Sequence, residues 1–295
     1  MKIAAIINGS SFKAKQAQKE LASQAKATIF FTKKASETNL FAQQVLDQEF
    51  DVVIVAGGDG TINQVINTWF HSGKETLPKI ALFPTGSAND FNRSLEFKGT
   101  KKLLANLKAE KFIPIDVLKL DAKGEKHYTL NLANNGLGAE IARTVLKRRL
   151  IMPSSVNYFS ATALWLLRFR PPMVEIQIDD YQLKLRTFLT SIGNGKYSGD
   201  GLCLCPQANL NDGKMAITLI GKVNLFDFIR YLPFLKNSKK VNDKRAIYHT
   251  VSRVKIRVLE GKLAVETDGE FRTRLKVDET VTYVVMPSAL SFIQP

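Results

Sequence analysis

Over its first 120 residues the chain alternates between short apolar runs and longer stretches of helical periodicity, and then the alternation stops. Runs at 3–7, 27–31, 50–56 and 79–83 read as strands, and 13–25, 36–48, 61–71 and 100–110 read as helices. Strands buried on both faces are near-continuously apolar, and such an alternation folds as a parallel sheet flanked by helices. From about residue 113 the period changes, and the segments 113–121, 127–134, 173–179, 182–193, 215–220, 250–259 and 281–286 read as strands. Val254, Ile256 and Val258 interleave with Lys255 and Arg257, the pattern of an antiparallel sheet with one wet face. The expected fold class is an α/β N-terminal domain over 1–120 joined to a β-rich antiparallel C-terminal domain over 121–285.

Two polar turns follow neighbouring strands of the first part. The apolar run Val52-Val53-Ile54-Val55 leads into Gly57-Gly58-Asp59-Gly60-Thr61 and Asn63, and Ile80-Ala81-Leu82-Phe83 leads into Pro84, Gly86, Ser87, Asn89, Asp90, Phe91 and Arg93. Glycines at the carboxyl end of a strand let backbone amides approach an anion, and the following helix N-terminus adds partial positive charge. Neither turn is a P-loop or a G-x-G-x-x-G fingerprint. Taken singly, each is equally a capped strand-to-helix turn, with Asp59 or the Asn89-Asp90 pair as cap. Two such turns side by side mark the place where open α/β sheets bind ligands.

With Asn194-Gly195, Pro206, Asp212-Gly213 and Asp268-Gly269-Glu270 following in order, the chain resembles the diacylglycerol-kinase-like lipid kinases, a family that includes bacterial diacylglycerol kinases, YegS-type kinases and sphingosine and ceramide kinases. The resemblance implies an NAD-kinase/diacylglycerol-kinase-like fold in which residues 286–295 return to the first domain. It implies ATP as phosphate donor and Mg²⁺ as cofactor. The amides of Gly57, Gly58 and Gly60 would hold phosphate, with Thr61 and Asn63 as side-chain donors and Asn8, Thr32, Ser87 and Asn89 around the nucleotide. Asp59 and Asp90 would be the carboxylates of that site. Asp268 or Glu270 would accept the proton of a substrate hydroxyl lying between the domains; read without the family, Asp-Gly is a hairpin turn. Asp212, with main-chain oxygens of Asn209 and Lys214, resembles a separate structural Mg²⁺ site and reads equally as an Asn-Asp-Gly turn.

The chain departs from the family pattern in three places. The first phosphate loop reads Asn8-Gly9-Ser10-Ser11-Phe12, without the usual Pro and terminal Gly; Gln64 replaces a Glu; and a glycine run becomes Gly199-Asp200-Gly201. These keep two alternatives open, a soluble NAD-kinase-like enzyme and a non-catalytic basic membrane-binding protein that keeps the fold.

Composition limits the partners. A net charge of +15, most of it after residue 120, attracts any polyanion. No interleaved aromatic and basic platform for nucleic acid is present, so none is expected as partner. The segments 155–169 and 222–240 are apolar and end in Arg168 and Arg170 or in Lys236, Lys239 and Lys240, which suits the interface of an anionic membrane or, equally, helices packed on the β domain. The lipid substrate and that surface are the expected partners, and exposed edge strands would permit a homodimer. No run reaches the roughly 18–20 apolar residues of a spanning helix. The N-terminal run 3–7 reads as a buried strand rather than a signal peptide. Cys203 and Cys205 lie too close in sequence to bridge within a strand, which fits a reducing cytoplasm, with the protein peripheral at the inner membrane surface.

Overall fold

The computed structural model describes residues 1–86, 89–148, 154–179 and 181–294. The chain forms two compact units, one of Met1–Val117 with Pro287–Pro295 and one of Leu118–Met286.

The first unit opens β1 (Ile3–Asn8), α1 (Ala14–Gln24), β2 (Thr28–Thr32), α2 (Glu37–Asp47), β3 (Val52–Gly57), α3 (Asp59–His71), β4 (Lys79–Pro84), α4 (Asp90–Ser94) and α5 (Thr100–Lys108). Its strands lie parallel in the order β2-β1-β3-β4. Every residue of β3 is buried, which is why the sequence there is an unbroken apolar run. Helices cover the sheet through small and aliphatic residues: Ala14, Ala17 and Leu21 of α1 join Ile7, Ile54 and Ala81 in one core cluster. Trp69 of α3 is fully buried and donates its indole N–H to the Ala42 carbonyl of α2, 2.9 Å away.

The second unit takes in most of β5 (Phe112–Ala122), then β6 (Glu125–Thr129), β7 (Leu132–Gly136), α6 (Leu137–Arg148), α7 (Ser154–Arg168), β8 (Met173–Ile178), β9 (Tyr181–Arg186), β10 (Leu189–Gly193), β11 (Tyr197–Ser198), β12 (Leu202–Cys203), β13 (Met215–Ile220), α8 (Leu225–Lys236), β14 (Ala246–Val251), β15 (Arg253–Glu260), β16 (Leu263–Thr267), β17 (Glu270–Leu275) and the first part of β18 (Thr280–Ile293). One sheet runs β6-β5-β18-β15-β8-β9 and the other β14-β13-β10-β7-β16-β17. Their inner faces meet in a single apolar cluster that includes Leu118, Ile176, Val254 and Tyr283 from the first sheet and Ala133, Ile192, Ile217 and Val265 from the second. This is a β-sandwich.

Three segments that read as single strands are each divided. Residues 127–134 become β6 and β7, 182–193 become β9 and β10, and 250–259 fall across β14 and β15. The reason is the same each time: the chain leaves one sheet of the sandwich and enters the other. At the second crossing Thr187 N–H bonds back to Pro172 O while Phe188 N–H already bonds to Ile220 O. His249, which reads as a strand start, therefore lies inside β14. Helix α6, which has no counterpart in the sequence reading, follows β7 directly.

The last part of β18 belongs to the first unit, where Phe292 pairs in parallel with Ile80 of β4. Asn106 Nδ2 donates to Gln294 O at 2.8 Å, and Ser288 N–H donates to Asp116 Oδ1 at 2.7 Å. Both cysteines are buried and free; burial pushes the Cys205 thiol up to about 12. Among the described residues no helix is long and apolar enough to cross a membrane.

Candidate active site

In the first unit the two polar turns meet backbone to backbone at Gly58 and Gly86. A Cβ placed on Gly86 would fall 2.4 Å from Gly58 Cα, and one on Gly58 would fall 3.2 Å from Gly86 Cα. The glycines therefore let one turn seat against the other, which precedes any contact with a ligand. Gly57 is required by its own helix, since a Cβ there would meet Thr61 Oγ1 at 2.4 Å. Gly60 is exposed in the first turn of α3.

Asp59 is the first residue of α3, preceded by Gly58 as its cap. Its carboxylate does not cap its own helix; Oδ2 accepts from Asp90 N–H at 2.8 Å and Oδ1 from Phe91 N–H at 3.1 Å, so it caps α4. The second turn is thus fastened to the first by a charged hydrogen-bonded cap. Asn89 enters α4 in the left-handed region, at φ 51°, and donates from Nδ2 to Gly86 O at 2.6 Å. Asp90 is buried, with Oδ1 3.9 Å from Arg93 Nε. The first loop is drawn in as well: Asn8 Nδ2 donates to Thr61 Oγ1 at 3.2 Å, Gly9 N–H reaches Thr32 O and Oγ1, and Ser11 Oγ donates to Thr85 O at 2.5 Å. Asn8, Thr32, Thr61, Asp59, Asn89 and Asp90 thus gather at the ends of four neighbouring strands. Asn63 is buried along α3, where Asn67 Nδ2 bonds to its amide oxygen at 3.3 Å. Ser87 lies outside the described residues.

Among the described residues, Thr85 Oγ1, Asn89 Oδ1 and Asn92 Oδ1 are buried without a hydrogen-bond partner. Buried polar atoms are seldom left unpaired, so unpaired atoms within and just after the second turn fit a site completed by a polar ligand. A nucleotide carries hydroxyl and amino groups that can donate to amide oxygens, and phosphate oxygens that can accept from a threonine hydroxyl.

In the second unit Thr267 and Glu270 face each other across a two-residue hairpin joining β16 to β17. Asp268 and Gly269 take φ 50° and 81°, the pair of positive values that a type I′ turn demands. The turn separates the two carboxylates. Asp268 is fastened to the start of β7, with its N–H donating to Leu132 O at 2.9 Å and Oδ1 accepting from Leu132 N–H at 3.0 Å. The Glu270 side chain is 36% exposed, with Arg272 Nη2 3.1 Å away. Of the two carboxylates, Asp268 is bound to the strand start and Glu270 is partly exposed.

The same unit holds an apolar pocket of about 120 Å³ whose walls include Leu137 and Ile141 of α6, Tyr158 and Leu166 of α7, Phe228 and Tyr231 of α8, Phe188, and Gly269 of the hairpin. That compares with roughly 150 Å³ for cavities that take a benzene-sized guest, so it has room for a short segment of an alkyl chain. Its helical walls are tied down. Trp165 Nε1 donates to Thr144 Oγ1 at 2.8 Å, joining α7 to α6. A capping box between Asn224 and Asp227 starts α8, and Arg245 grips Asp227 through two bonds of 2.9 and 3.0 Å and Asp243 through Nε and Nη2. Those bonds hold the Asp243 carboxyl well below the usual range, and burial pushes the Tyr231 hydroxyl up to about 12.

Two polar side chains, Asn134 and Glu266, share this pocket wall, and the sequence reading missed both. Glu266 is 1% exposed; Asn134 Nδ2 donates to Oε1, and Gly269 N–H donates to Oε2 at 2.7 Å. Burial pushes its carboxyl up to about 8, although both hydrogen bonds favour the charged form. The available signal was a carboxylate ending the apolar run Leu263-Ala264-Val265.

The Asn209–Lys214 loop is a pair of Asx turns: Asp212 Oδ1 accepts from Lys214 N–H at 3.0 Å and Asn209 Oδ1 from Asn211 N–H at 3.4 Å. Among the described residues no group of three or more His, Cys, Asp or Glu gathers as a metal site. The loop is exposed and these bonds are those of a turn; the expected donor set of one carboxylate with main-chain oxygens is of a different kind from such a cluster, and no chemical step is derived through an ion there. Asn194 Nδ2 donates to Leu130 O at 3.0 Å.

Comparison with known proteins agrees with these features. The diacylglycerol kinase catalytic domain profile matches residues 3–120, and the YegS C-terminal NAD kinase beta sandwich-like domain profile matches residues 131–294. A diacylglycerol kinase of Bacillus subtilis (strain 168) is 31% identical over 264 residues, covering 86% of this chain and 83% of that one. A probable lipid kinase YegS-like of Yersinia pestis (strain Pestoides F) is 27% identical over 246 residues, covering 82% and 79%. In fold, the chain is similar to a putative diacylglycerol kinase from Bacillus anthracis str. Sterne, with a TM-score of 0.77 at 20% identity over 99% of this chain and 97% of that one. It is also similar to an NAD kinase from Archaeoglobus fulgidus in complex with ATP, with a TM-score of 0.54 at 12% identity over 99% and 93%. With a catalytic-domain match in the first unit, a sandwich-domain match in the second and a relative aligned over most of both chains, this protein belongs to the diacylglycerol kinase and YegS family of lipid kinases.

Proposed function

We propose that the protein transfers the γ-phosphoryl group of ATP to the free hydroxyl of a diacylglycerol-like lipid taken from an anionic membrane surface. The observation that carries the choice of a lipid acceptor is the apolar pocket that has Gly269, the residue before Glu270, in its wall. An alkyl segment held there brings the polar end of the same molecule to the hairpin. Glu270 then accepts the hydroxyl proton as the oxygen attacks the γ-phosphorus, and ADP leaves.

The joined turns of the first unit serve the donor. Backbone amides at Gly57, Gly58 and Gly86 and the orphaned oxygens of Thr85 and Asn89 support nucleotide binding there. Asp59 and Asp90 would hold an Mg²⁺ brought with the nucleotide, which would supply neutralisation of phosphate charge. At the membrane, exposed apolar side chains on two helices serve as contacts: Phe159 and Leu167 on α7, and Phe226, Ile229 and Phe234 on α8. The exposed cations Arg168, Arg170, Lys236, Lys239 and Lys240 lie at or just beyond the ends of those helices, where an anionic surface attracts them by about 1 kcal/mol each.

The test is transfer of labelled γ-phosphate to a panel of diacylglycerol, phosphatidylglycerol, ceramide and long-chain base, with NAD as a further acceptor. Diacylglycerol is the expected product-forming lipid. No labelled lipid from any member of the panel would end this reading, and labelled NAD would replace it. Co-sedimentation with vesicles containing anionic lipid, lost in high salt and in Phe226→Ser, checks the membrane contact.

A further inference from the structure

A carboxyl group buried against apolar surface is unfavourable unless polar partners compensate, and Glu266 lies on the wall of an apolar pocket. Its partners come from a row that crosses four strands. Thr218, Ser191, Asn134 and Glu266 stand directly opposite one another through β13, β10, β7 and β16. All four are buried. Their sequence neighbours Ile217, Ile192, Ala133 and Val265 face the other way, into the sandwich core. Ser191 Oγ donates to Asn134 Oδ1 at 2.6 Å, Asn134 Nδ2 donates to Glu266 Oε1, and Glu266 Oε2 receives Gly269 N–H.

The row has donors left over. Both oxygens of Glu266 already accept a bond, so the proton that burial favours on this carboxyl meets no protein acceptor among the described residues. The Asn134 amide carries a second N–H beyond the one given to Glu266. Both side chains line the pocket, so both donors have the pocket to turn to. A pocket built only to hold hydrocarbon would have apolar side chains here.

We propose that Glu266 and Asn134 form a polar subsite in the wall of the alkyl pocket, donating hydrogen bonds to an uncharged carbonyl or hydroxyl oxygen carried next to the lipid's chain. The subsite sets the depth at which the lipid stops. Because Glu266 also holds Gly269, the same contact positions the turn that carries Glu270. Glu266 is a specificity and positioning residue and touches no reacting atom. This inference rests on the lipid-kinase reading of the site.

The groups around it that bear on pH are Asp268 and Arg272 on the hairpin, Tyr283 of β18, Glu140 and Arg143 on the α6 helix packed over β16, and Tyr158 and Tyr231 in the pocket wall. Tyr283 and Tyr231 are both raised by burial and stay protonated up to pH 9.

The experiment measures kcat and KM for diacylglycerol and for the matching ether-linked dialkylglycerol, whose chain-bearing oxygens are weaker acceptors. It uses the wild type, Glu266→Met and Glu266→Gln between pH 7 and 9, with thermal unfolding of each. Wild-type turnover of diacylglycerol at pH 7 tests the lipid-kinase reading by itself. Given that turnover, the wild type prefers the ester-linked lipid in KM by roughly tenfold, the size of one hydrogen bond, and Glu266→Met loses the preference. Glu266→Gln keeps a donor at the same place once the Asn134 amide turns over, so it restores the preference. Its KM also no longer climbs toward pH 9, where the wild type loses its donor proton and KM rises about tenfold. A folded Glu266→Met with wild-type KM for both lipids overturns the proposal. If Glu266→Met does not fold, a Glu266→Gln enzyme whose KM still climbs as the wild type's does overturns it.

Discussion

The turns of the first unit and the hairpin of the second are both chain reversals at strand ends, yet they are made in opposite ways. Gly58 and Gly86 meet with no side chain between them and leave oxygens of neighbouring residues unpaired. At Thr267–Glu270 every backbone demand of a type I′ turn is met, Asp268 is fastened to Leu132, and a buried carboxyl stands beneath. A triphosphate presents the same charged oxygens whatever the acceptor, so backbone suffices to receive it. An acceptor must be chosen by shape and by one or two polar atoms, which requires side chains on rigid strands and helices.

Four substitutions break or sharpen that contrast. Glu270→Gln is expected to lower kcat by roughly 10²–10⁴-fold with little change in either KM, as loss of a general base does. Asp268→Asn keeps an acceptor for Leu132 N–H and makes an Asn-Gly turn equally suited to type I′; activity within about threefold of wild type is expected. A large loss in Asp268→Asn with near-wild-type kcat in Glu270→Gln would transfer the base assignment to Asp268. Next in size is Gly86→Ala, whose Cβ must push the Gly58 backbone aside. Overpacking of about 1–3 kcal/mol raises KM for ATP roughly 10- to 100-fold and leaves KM for lipid alone. Gly58→Ala, with a 3.2 Å approach in place of 2.4 Å, should fall between it and wild type; steady-state kinetics with each substrate varied separately reads both.

Arg245→Ala is the mirror experiment. It releases Asp227, Asp243 and Tyr231, and with them the hold on α8. Because the guanidinium is about a third exposed, solvent reduces the loss to about 1–2 kcal/mol. KM for lipid should rise several-fold while KM for ATP stays put, and the melting temperature should drop by about 2–4 °C per kcal/mol. The smallest effect is on stability against pH. The Glu266 carboxyl titrates near 4.5 in the unfolded chain and near 8 when folded, so its contribution is fully present below about pH 4.5 and is lost as pH rises through 8. Melting temperatures of the wild type should fall by a few degrees more between pH 5 and 9 than those of Glu266→Gln, measured by calorimetry.

Much of this was legible from sequence because the first unit obeys one rule throughout. A parallel strand covered on both faces must be apolar along its length, and Val52–Ala56 is. The sandwich was harder to read because the same apolar alternation continues while the chain changes sheets, as it does near Thr187 and Ser252; periodicity records which face is dry and says nothing about which neighbour pairs. Helix α6 escaped because Asn134-Asn135-Gly136, which has the composition of a turn, lies inside β7, and the helix begins directly after it at Leu137-Gly138. Asp59 reads from sequence as a carboxylate of the phosphate site or as the cap of the helix it begins, and neither reading reveals that its oxygens reach 31 residues ahead to Asp90. Glu266 and Asn134 are 132 residues apart and acquire meaning only once β16 lies beside β7.

The strand β18 has a consequence for how the molecule comes to be folded. The first unit is discontinuous in sequence: Phe292 packs its ring 5.7 Å from that of Phe91, and Gln294 bonds to both Asn106 and Lys111. A nascent chain that has reached Val117 has made both glycine turns but lacks the strand beside β4. Closing that sheet means bringing together residues separated by the length of the whole sandwich, and contacts so distant in sequence form late. Maturation of the unit made first therefore waits on the passage of the unit made second, so an incomplete chain does not present a finished first unit.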